Sequence, residues 1–466
     1  MHTSRRWWLL LIALGVVRGL LYSALIPPWQ GPDEIQHYEY VRLLYEKGRL
    51  LEWGDSIPAV EQEIIASMER FDYWQTGRYV QRGTTFNEIW AGYGHDLQQP
   101  PLSYLLYLGP LLIAPGDIAL QLYLMRLLSV LLSLVVIVAA LIIANKLWGT
   151  HPTLSWAIPA FIVFLPTYTA MSGTVNNDHL AEAAVSLVLV FWVLAFKQGL
   201  SIPKIGALIV FSLIGMLAKR TAVVLLPMHV IAVIIYFRLH HPRMFSRRNV
   251  ILAFGVGALV LSIVIWLGST GLAWLSQHDP TVAEWLLKIY LFLPSKNYPL
   301  SLDHPYFSSE ALRLYVHYAR FLFETFWGRF ALLQVKWPPA LYVLAAILSL
   351  LALTGLVLPG RRRLRQDDPL QAWQSATLLF FVFSTATMIA LIYANEIRRW
   401  DIQWGGWPQA RYLFLTIVPI ATLFVRGWSE MVPQRHRSAW VIALVGLLIL
   451  LDTFSVTCLI IPYFYG

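Results

Sequence analysis

An all-α polytopic membrane protein is the fold this sequence predicts, and three observations predict it. Of 466 residues, 58% are hydrophobic and 13% charged, with mean hydropathy +0.59, whereas a soluble domain carries about 25% charged residues. Apolar stretches repeatedly reach the ~20 residues that cross ~30 Å of hydrocarbon as a helix, and they are far too long for barrel strands. The lysines and arginines between those stretches gather in alternate loops, the pattern of loops retained on one side of a bilayer.

The first apolar run, 7–26, follows Arg5 and Arg6. It is longer than a signal-peptide core and no small-residue cleavage site follows it, so it reads as an uncleaved span. Further spans are expected near 119–145, 154–173, 180–196, 203–218, 222–237, 250–274, 339–358, 374–393, 411–425 and 438–460, about eleven in all. With a cytoplasmic amino terminus, that side collects Lys146, Lys197, Lys204, Arg238, Arg243, Arg247, Arg248, the run Arg361, Arg362, Arg363 and Arg365, then Arg426, Arg435 and Arg437. The opposite side, outside the cell for a bacterial inner-membrane protein, receives two long segments, about 27–118 and 276–338. Both are rich in Trp, Tyr and Pro, as suits helices lying at the interface.

The run 100–114 (PPLSYLLYLGPLLIA) is short for a span, and counting it as one would invert every later basic loop. It is expected to be an interfacial helix. No repeat, low-complexity tract or linker divides the chain, so 1–466 reads as a single transmembrane domain. The one cysteine, Cys458, allows neither an intrachain disulfide nor a cysteine metal cluster. The net charge of +9 follows topology, so no nucleic-acid partner is expected.

The stretch 27–50 (PPWQGPDEIQHYEYVRLLYEKGRL) sets Asp33, Glu34 and His37 directly after the first span. The same face is expected to hold Gln98 and Gln99 before Pro100-Pro101, Asn176-Asn177-Asp178, the Lys219-Arg220 break between two spans, Arg329, Arg398, Arg399, Gln409, Arg411 and Tyr412. Lys219 and Arg220 interrupt an apolar stretch, where each charge costs about 2.5–3.5 kcal/mol on insertion scales. An anionic partner such as a lipid phosphate would offset that cost; a plain interfacial turn with snorkelling side chains is the competing reading. Asp33-Glu34-Ile35-Gln36 also fits a helix N-cap with Gln at the third position, and Asp178 could cap the helix after it. Neighbours on a helix face apart, so Asp33 and Glu34 form no dyad by themselves. Glu34 and His37 share a helix face and could hold a divalent metal, with Asp178 as a third ligand, or merely hydrogen-bond; two ligands alone make no site. Arg18 and Asp452 are isolated intramembrane charges whose partners the sequence does not give.

Several motifs together resemble the GT-C superfamily of polytopic glycosyltransferases, which includes protein O-mannosyltransferases and the aminoarabinose transferase of lipid A. They are an Asp-Glu just after span one, the Pro-Pro-Leu-x-Tyr helix, Met125-Arg126-Leu127-Leu128-Ser129, and an Asp after span three. Pro32-Asp33-Glu34 with His37, Asn177-Asp178, Phe326-Trp327-Gly328 and Ala410-Arg411-Tyr412-Leu413 are similar to a bacterial subfamily of GT-C-like membrane proteins. The resemblance implies a GT-C-like bundle and an inverting transfer of a sugar from a polyprenyl-phosphate carrier to a glycan, lipid or protein acceptor outside. By it, Asp33 is the general base, with Glu34 and Asp178 the other catalytic acids. His37, Gln99, Lys219, Arg220, Arg329, Arg411 and Tyr412 are substrate- or phosphate-binding. Relatives carry Lys or His where this chain has Gln99, so the carrier phosphate must be neutralised from elsewhere.

The residues fit that chemistry on their own terms. A phosphate leaving group is already a stable anion, so one base near the acceptor hydroxyl and cations around the departing phosphate suffice. No nucleotide-binding loop is present, and no cofactor is obligatory, a divalent cation remaining open. The alternatives are a transporter or flippase of a lipid-linked glycan, or a non-catalytic envelope assembly protein.

Overall fold

The computed structural model describes residues 2–52, 54–76, 86, 99–242, 274, 277–280, 282, 308–357, 370–398 and 408–466. Long helices dominate them. In chain order these are α1 (His2–Leu25), α2 (Glu34–Lys47), α3 (Pro58–Arg70), α4 (Tyr73–Thr76), α5 (Leu102–Ile113), α6 (Ile118–Trp148), α7 (Pro152–Val163), α8 (Pro166–Ser172), α9 (Asp178–Gln198), α10 (Ile202–Ala218) and α11 (Leu225–His240). After the intervening segment come α12 (Ser309–Trp327), α13 (Pro339–Val357), α14 (Ala372–Arg398), α15 (Ile417–Glu430), α16 (Arg437–Phe454) and α17 (Ile461–Tyr465). The one small sheet among the described residues pairs β1 (Arg329–Phe330) antiparallel with β2 (Val335–Lys336), Arg329 opposite Lys336.

Ten of the eleven expected spans are found as helices, and the eleventh, 250–274, lies outside the described residues except for Trp274. Eight are long and apolar enough to cross a bilayer as single helices. The expected 154–173 is a broken span: α7 and α8 meet at 60°, with Pro166 opening α8 after the hinge. Proline cannot continue the preceding helix, because it lacks an N–H and its ring crowds the turn before it. At 17 residues, α10 rises only about 26 Å. α5, with 12 residues and about 18 Å, is too short to span and lies against α2 and α6, in agreement with the interfacial expectation.

One end of the bundle gathers the finish of α1, the loop before α9, the break after α10 and the start of the α15 span. Away from it, Lys146, Lys197, Arg426 and Arg437 line one cavity, in line with the expected segregation of basic loops. Two cores result. The large one fills the bundle with residues such as Ala140, Phe161, Val188, Leu415 and Leu444. A second packs Trp29, Tyr38, Tyr40, Ile64, Met68 and Tyr104 from α2, α3 and α5 onto Leu122 and Met125 of α6. At 31 residues, α6 rises about 46 Å, which carries its first turns beyond the hydrocarbon to serve both cores.

Helices α13 and α15 touch backbone to backbone: a Cβ on Gly355 would sit 1.9 Å from the Gly427 carbonyl oxygen, so only glycine allows the approach. The two isolated intramembrane charges find each other. Arg18 of α1 pairs with Asp452 of α16, and the Tyr22 hydroxyl donates to the same carboxylate at 2.8 Å. Buried charges are tolerated in a span when so paired.

Candidate active site

Between α1 and α2 the chain turns back sharply, with Trp29 (φ 73°) and Asp33 (φ 57°) in the left-handed region. Asp adopts that conformation more readily than most residues. The turn is fixed by Glu34. Its buried carboxylate accepts from Trp29 N at 3.0 Å, Val175 N at 3.1 Å, Arg126 Nε at 2.8 Å and Arg126 Nη2 at 2.6 Å. Arg126 spends its other donors on the carbonyls of Ser23 (2.8 Å), Ile26 (2.7 Å) and Pro27 (3.0 Å), which the end of α1 leaves without helical partners. All five guanidinium N–H groups are thus engaged, and Glu34 joins three segments with nothing left over.

Asp33, one residue earlier, behaves differently. Its side chain caps no helix N–H; it forms an ion pair with Arg411, across the bundle in the 3₁₀ turn Ala410–Thr416 that opens the α15 span. That turn is held by Ala410 N donating to Thr325 Oγ1 of α12 at 3.0 Å. A second pair lies beside the first. Asp178, the first residue of α9, pairs with Lys219, which sits in extended backbone between α10 and the 3₁₀ turn Arg220–Val224. Asp178 therefore serves a cation, not a helix cap. The rim of α5 stitches these loops together: the Ser103 hydroxyl donates to the Asn177 carbonyl at 3.2 Å, with the Ala218 carbonyl at 3.4 Å, and the Tyr107 hydroxyl donates to the Asn176 carbonyl at 3.0 Å.

Tyr412 links the pairs, its ring 5.3 Å from both Lys219 Nζ and Arg411 Cζ. Arg411 lies within electrostatic reach of Asp178 as well as Asp33, and Lys219 within reach of Asp33. Burial pushes the Asp33 carboxyl up, but Arg411, with Lys219 beyond it, outweighs burial and holds it below the usual carboxylate range. His37 is held down to about 3, chiefly by burial, so it is a neutral hydrogen-bonding group at pH 7. Its Nδ1 meets the Tyr104 hydroxyl at 2.9 Å.

Exposure separates the groups. The Asp33 side chain is 31% exposed, against 8% for Arg411, 7% for Lys219 and 1% for Asp178. Arg411 keeps Nε and Nη1 buried without a hydrogen-bond partner. A cavity of about 20 Å³, the size of one water, lies between Pro32, Thr174, Arg329, Gln409 and Arg411.

Of the sequence candidates, Asp33, His37, Asp178, Lys219, Arg411 and Tyr412 converge. Arg220 is half-buried in the turn beside Lys219. Arg329 adjoins through the small cavity, but its guanidinium is held by Glu324 at 2.7 Å over the Phe321 ring. Its position is fixed from behind: a Cβ on Gly328 would meet the Trp337 indole at 2.2 Å, so Gly328 lets that ring lie flat beneath it. Gln99 stands further out; its carbonyl accepts from the Tyr40 hydroxyl at 3.1 Å, and Tyr40 stacks on Tyr104. Gln98 and Arg399 lie outside the described residues.

The trio Glu34, His37 and Asp178 does not form a metal site. Glu34 is consumed by Arg126, and no three His, Cys, Asp or Glu among the described residues are placed to hold an ion. Arg126, Ser103, Tyr104 and Thr325, which set the geometry, carried no role in the sequence reading. A charge inside an apolar run was the signal available for Arg126.

A family model described as "Predicted membrane protein (DUF2142)" matches residues 16–423. No functionally curated protein matches the sequence. The solved structures similar to this chain include two of ArnT from Cupriavidus metallidurans. The one bound to undecaprenyl phosphate is 15% identical, covers 91% of this chain and 77% of that one, and has a TM-score of 0.36. The apo form is 14% identical, covers 92% and 78%, and has a TM-score of 0.35.

Proposed function

Starting from a chain that belongs to the DUF2142 family of predicted membrane proteins, we propose that it is a GT-C-type inverting glycosyltransferase. It moves a sugar from a polyprenyl-phosphate carrier to a glycan, lipid or protein acceptor at the outer face of a bacterial cytoplasmic membrane. The observation that carries this reading is Arg411. It is a buried guanidinium with two nitrogens unpartnered, facing a carboxylate that is itself open to solvent. A buried donor left unpaired is costly, and a tetrahedral anion arriving beside Asp33 would satisfy it. The motif resemblance supports the same assignment.

In this reading the carrier phosphate takes over Arg411, with Lys219 and Tyr412 alongside, and displaces the Asp33 carboxylate. Freed from its cation, that carboxylate rises in basicity as the acceptor hydroxyl comes within hydrogen-bond reach. The acceptor oxygen attacks the anomeric carbon from the face opposite the phosphate, and the anomeric C–O bond breaks. The phosphate leaves with the electron pair, and the hydroxyl proton passes to Asp33. Arg411 and Lys219 stabilise the charge growing on the phosphate. Asp178 holds Lys219 in place, neutral His37 holds the Tyr104 hydroxyl beside the site, and Glu34 is assigned the turn that aims Asp33. Gln99, Arg220 and Arg329 form the outer margin. A divalent cation, if bound, would supply further charge neutralisation at the phosphate.

The test is sugar transfer in proteoliposomes supplied with polyprenyl-phosphate sugars and envelope-derived acceptors. Asp33→Asn is expected to insert and fold while transfer is lost; wild-type-like turnover by that variant would end the proposal. Movement of labelled carrier across the bilayer, unchanged in Asp33→Asn and without transfer, would instead identify a flippase.

A further inference from the structure

At the far end of the bundle, a helix length of about 30 Å from Asp33, a second polar site is built that the transfer chemistry does not use. A cavity of about 360 Å³ opens between the end of α6, the start of α7, the end of α9, the start of α14, the end of α15 and the start of α16. Lys146, Lys197, Arg426 and Arg437 line it, with His151, Gln371 and Gln374, and no Asp or Glu is among its described lining residues. Among the described residues the counter-charge is Glu430, which pairs with both Arg426 and Arg437. Lys146 and Lys197 stand outside those two pairs. Lys197 Nζ lies 4.8 Å from the centre of the Trp373 ring, which fixes the ammonium at the mouth. Trp148, also in the lining, is 3% exposed, and its indole N–H is buried without a partner.

Cations that merely flank spans project from loops into water. Here Arg426 is 6% exposed, and a half-open cavity within the range of ligand pockets, about 300–1,000 Å³, lies beside it. Excess positive charge, an orphaned indole donor and the Gln371 amide nitrogen are complementary to an oxyanion that accepts several hydrogen bonds at once. We propose that this cavity is a binding site for a phosphate-bearing ligand, either the headgroup of an anionic phospholipid or a soluble phosphorylated molecule. The site is separate from the Asp33 centre and independent of what that centre catalyses.

The experiment uses the full chain in nanodiscs of phosphatidylcholine alone, with thermal unfolding as the readout. Phosphatidylglycerol is titrated into the discs in one arm and inorganic phosphate into the buffer in the other. Saturable stabilisation is expected, from phosphatidylglycerol only if the ligand is a headgroup and from phosphate also if it is soluble. The Lys146→Gln/Lys197→Gln double variant leaves the Glu430 pairs intact and is expected to bind at least ten-fold more weakly. Asp33→Asn is expected to bind like wild type. Three results would overturn the proposal. They are a wild type that responds to neither probe, a double variant with wild-type affinity, and a response that appears only after Asp367→Asn/Asp368→Asn. The last would mean that the chain's own carboxylates, next to Leu370 in sequence, fill the cavity.

Discussion

Asp33 and Glu34 are chain neighbours with the same functional group, and the fold treats them in opposite ways. Glu34 is fully buried and meets an arginine whose every donor is satisfied, together with two backbone amides. Asp33 is partly open and meets an arginine with donors to spare. The difference follows from the backbone: Glu34 opens α2, whereas Asp33 just before it is in the left-handed region (φ 57°), so the two carboxylates leave the chain in different directions. A closed pair makes structure. A pair with unsatisfied donors and an open carboxylate has binding capacity left.

The largest effect tests the closed half. Arg126→Leu leaves the Glu34 carboxylate buried without a cation and strips the last carbonyls of α1 of their donors. Breaking one side of a buried ion pair costs about 3–5 kcal/mol. The expected outcome is a collapse in the yield of monodisperse protein and a strongly lowered Tm in detergent. An Arg126→Leu protein that melts like wild type would remove the distinction between the two carboxylates.

Asp33→Asn tests the open half. The Asn amide oxygen can still accept from Arg411, and Asp178 stays within electrostatic reach of that guanidinium, so Tm should fall by less than in Arg126→Leu. Transfer should fall by about 10²–10⁴-fold, the usual worth of a positioned general base. Arg411→Lys comes next. It keeps the charge but loses the planar fork that engages two phosphate oxygens, so KM for the carrier should rise by about ten-fold while KM for the acceptor stays unchanged. Arg411→Gln should also shift the acidic limb of the remaining transfer to higher pH, because Arg411 is the largest charge holding the Asp33 carboxyl down.

Much of this was legible before any coordinates. The spans could be read because about 20 apolar residues per crossing is a property of the bilayer, not of the packing. The converging acids and cations could be read because charges next to spans, all on one face, have few surfaces to occupy. What the sequence left ambiguous was partner choice. Asp33 satisfied the N-cap pattern, yet the left-handed backbone at that position turns its side chain away from the α2 amides and toward Arg411, 378 residues on. Glu34 looked as chemically available as Asp33, because nothing local announces Arg126 as its partner 92 residues later. The break inside 154–173 was foreshadowed by Pro166, but a proline in a span marks a kink without giving its angle.

His37 gives the smallest effect and sharpens the comparison from a third position on α2. Burial holds it neutral in the folded protein down to about 3, with Asp33 and Asp178 opposing that and Lys219 and Arg411 reinforcing it. An unfolded chain takes up a proton at a free histidine near pH 6.5. The unfolded state therefore binds more protons throughout the window from about 6.5 down to about 3, and stability must fall as the pH falls through it. His37 should cost about 1 kcal/mol of stability between pH 7 and 5.5. Asp33 contributes little there, since its folded value is depressed and its stabilisation is lost only on further acidification. His37→Gln removes the titrating ring while keeping an amide in reach of Tyr104, so the slope of Tm against pH over that window should flatten. An unaltered slope would mean that His37 is protonated in the folded state, and the cluster would then hold three cations against two carboxylates before any phosphate arrives.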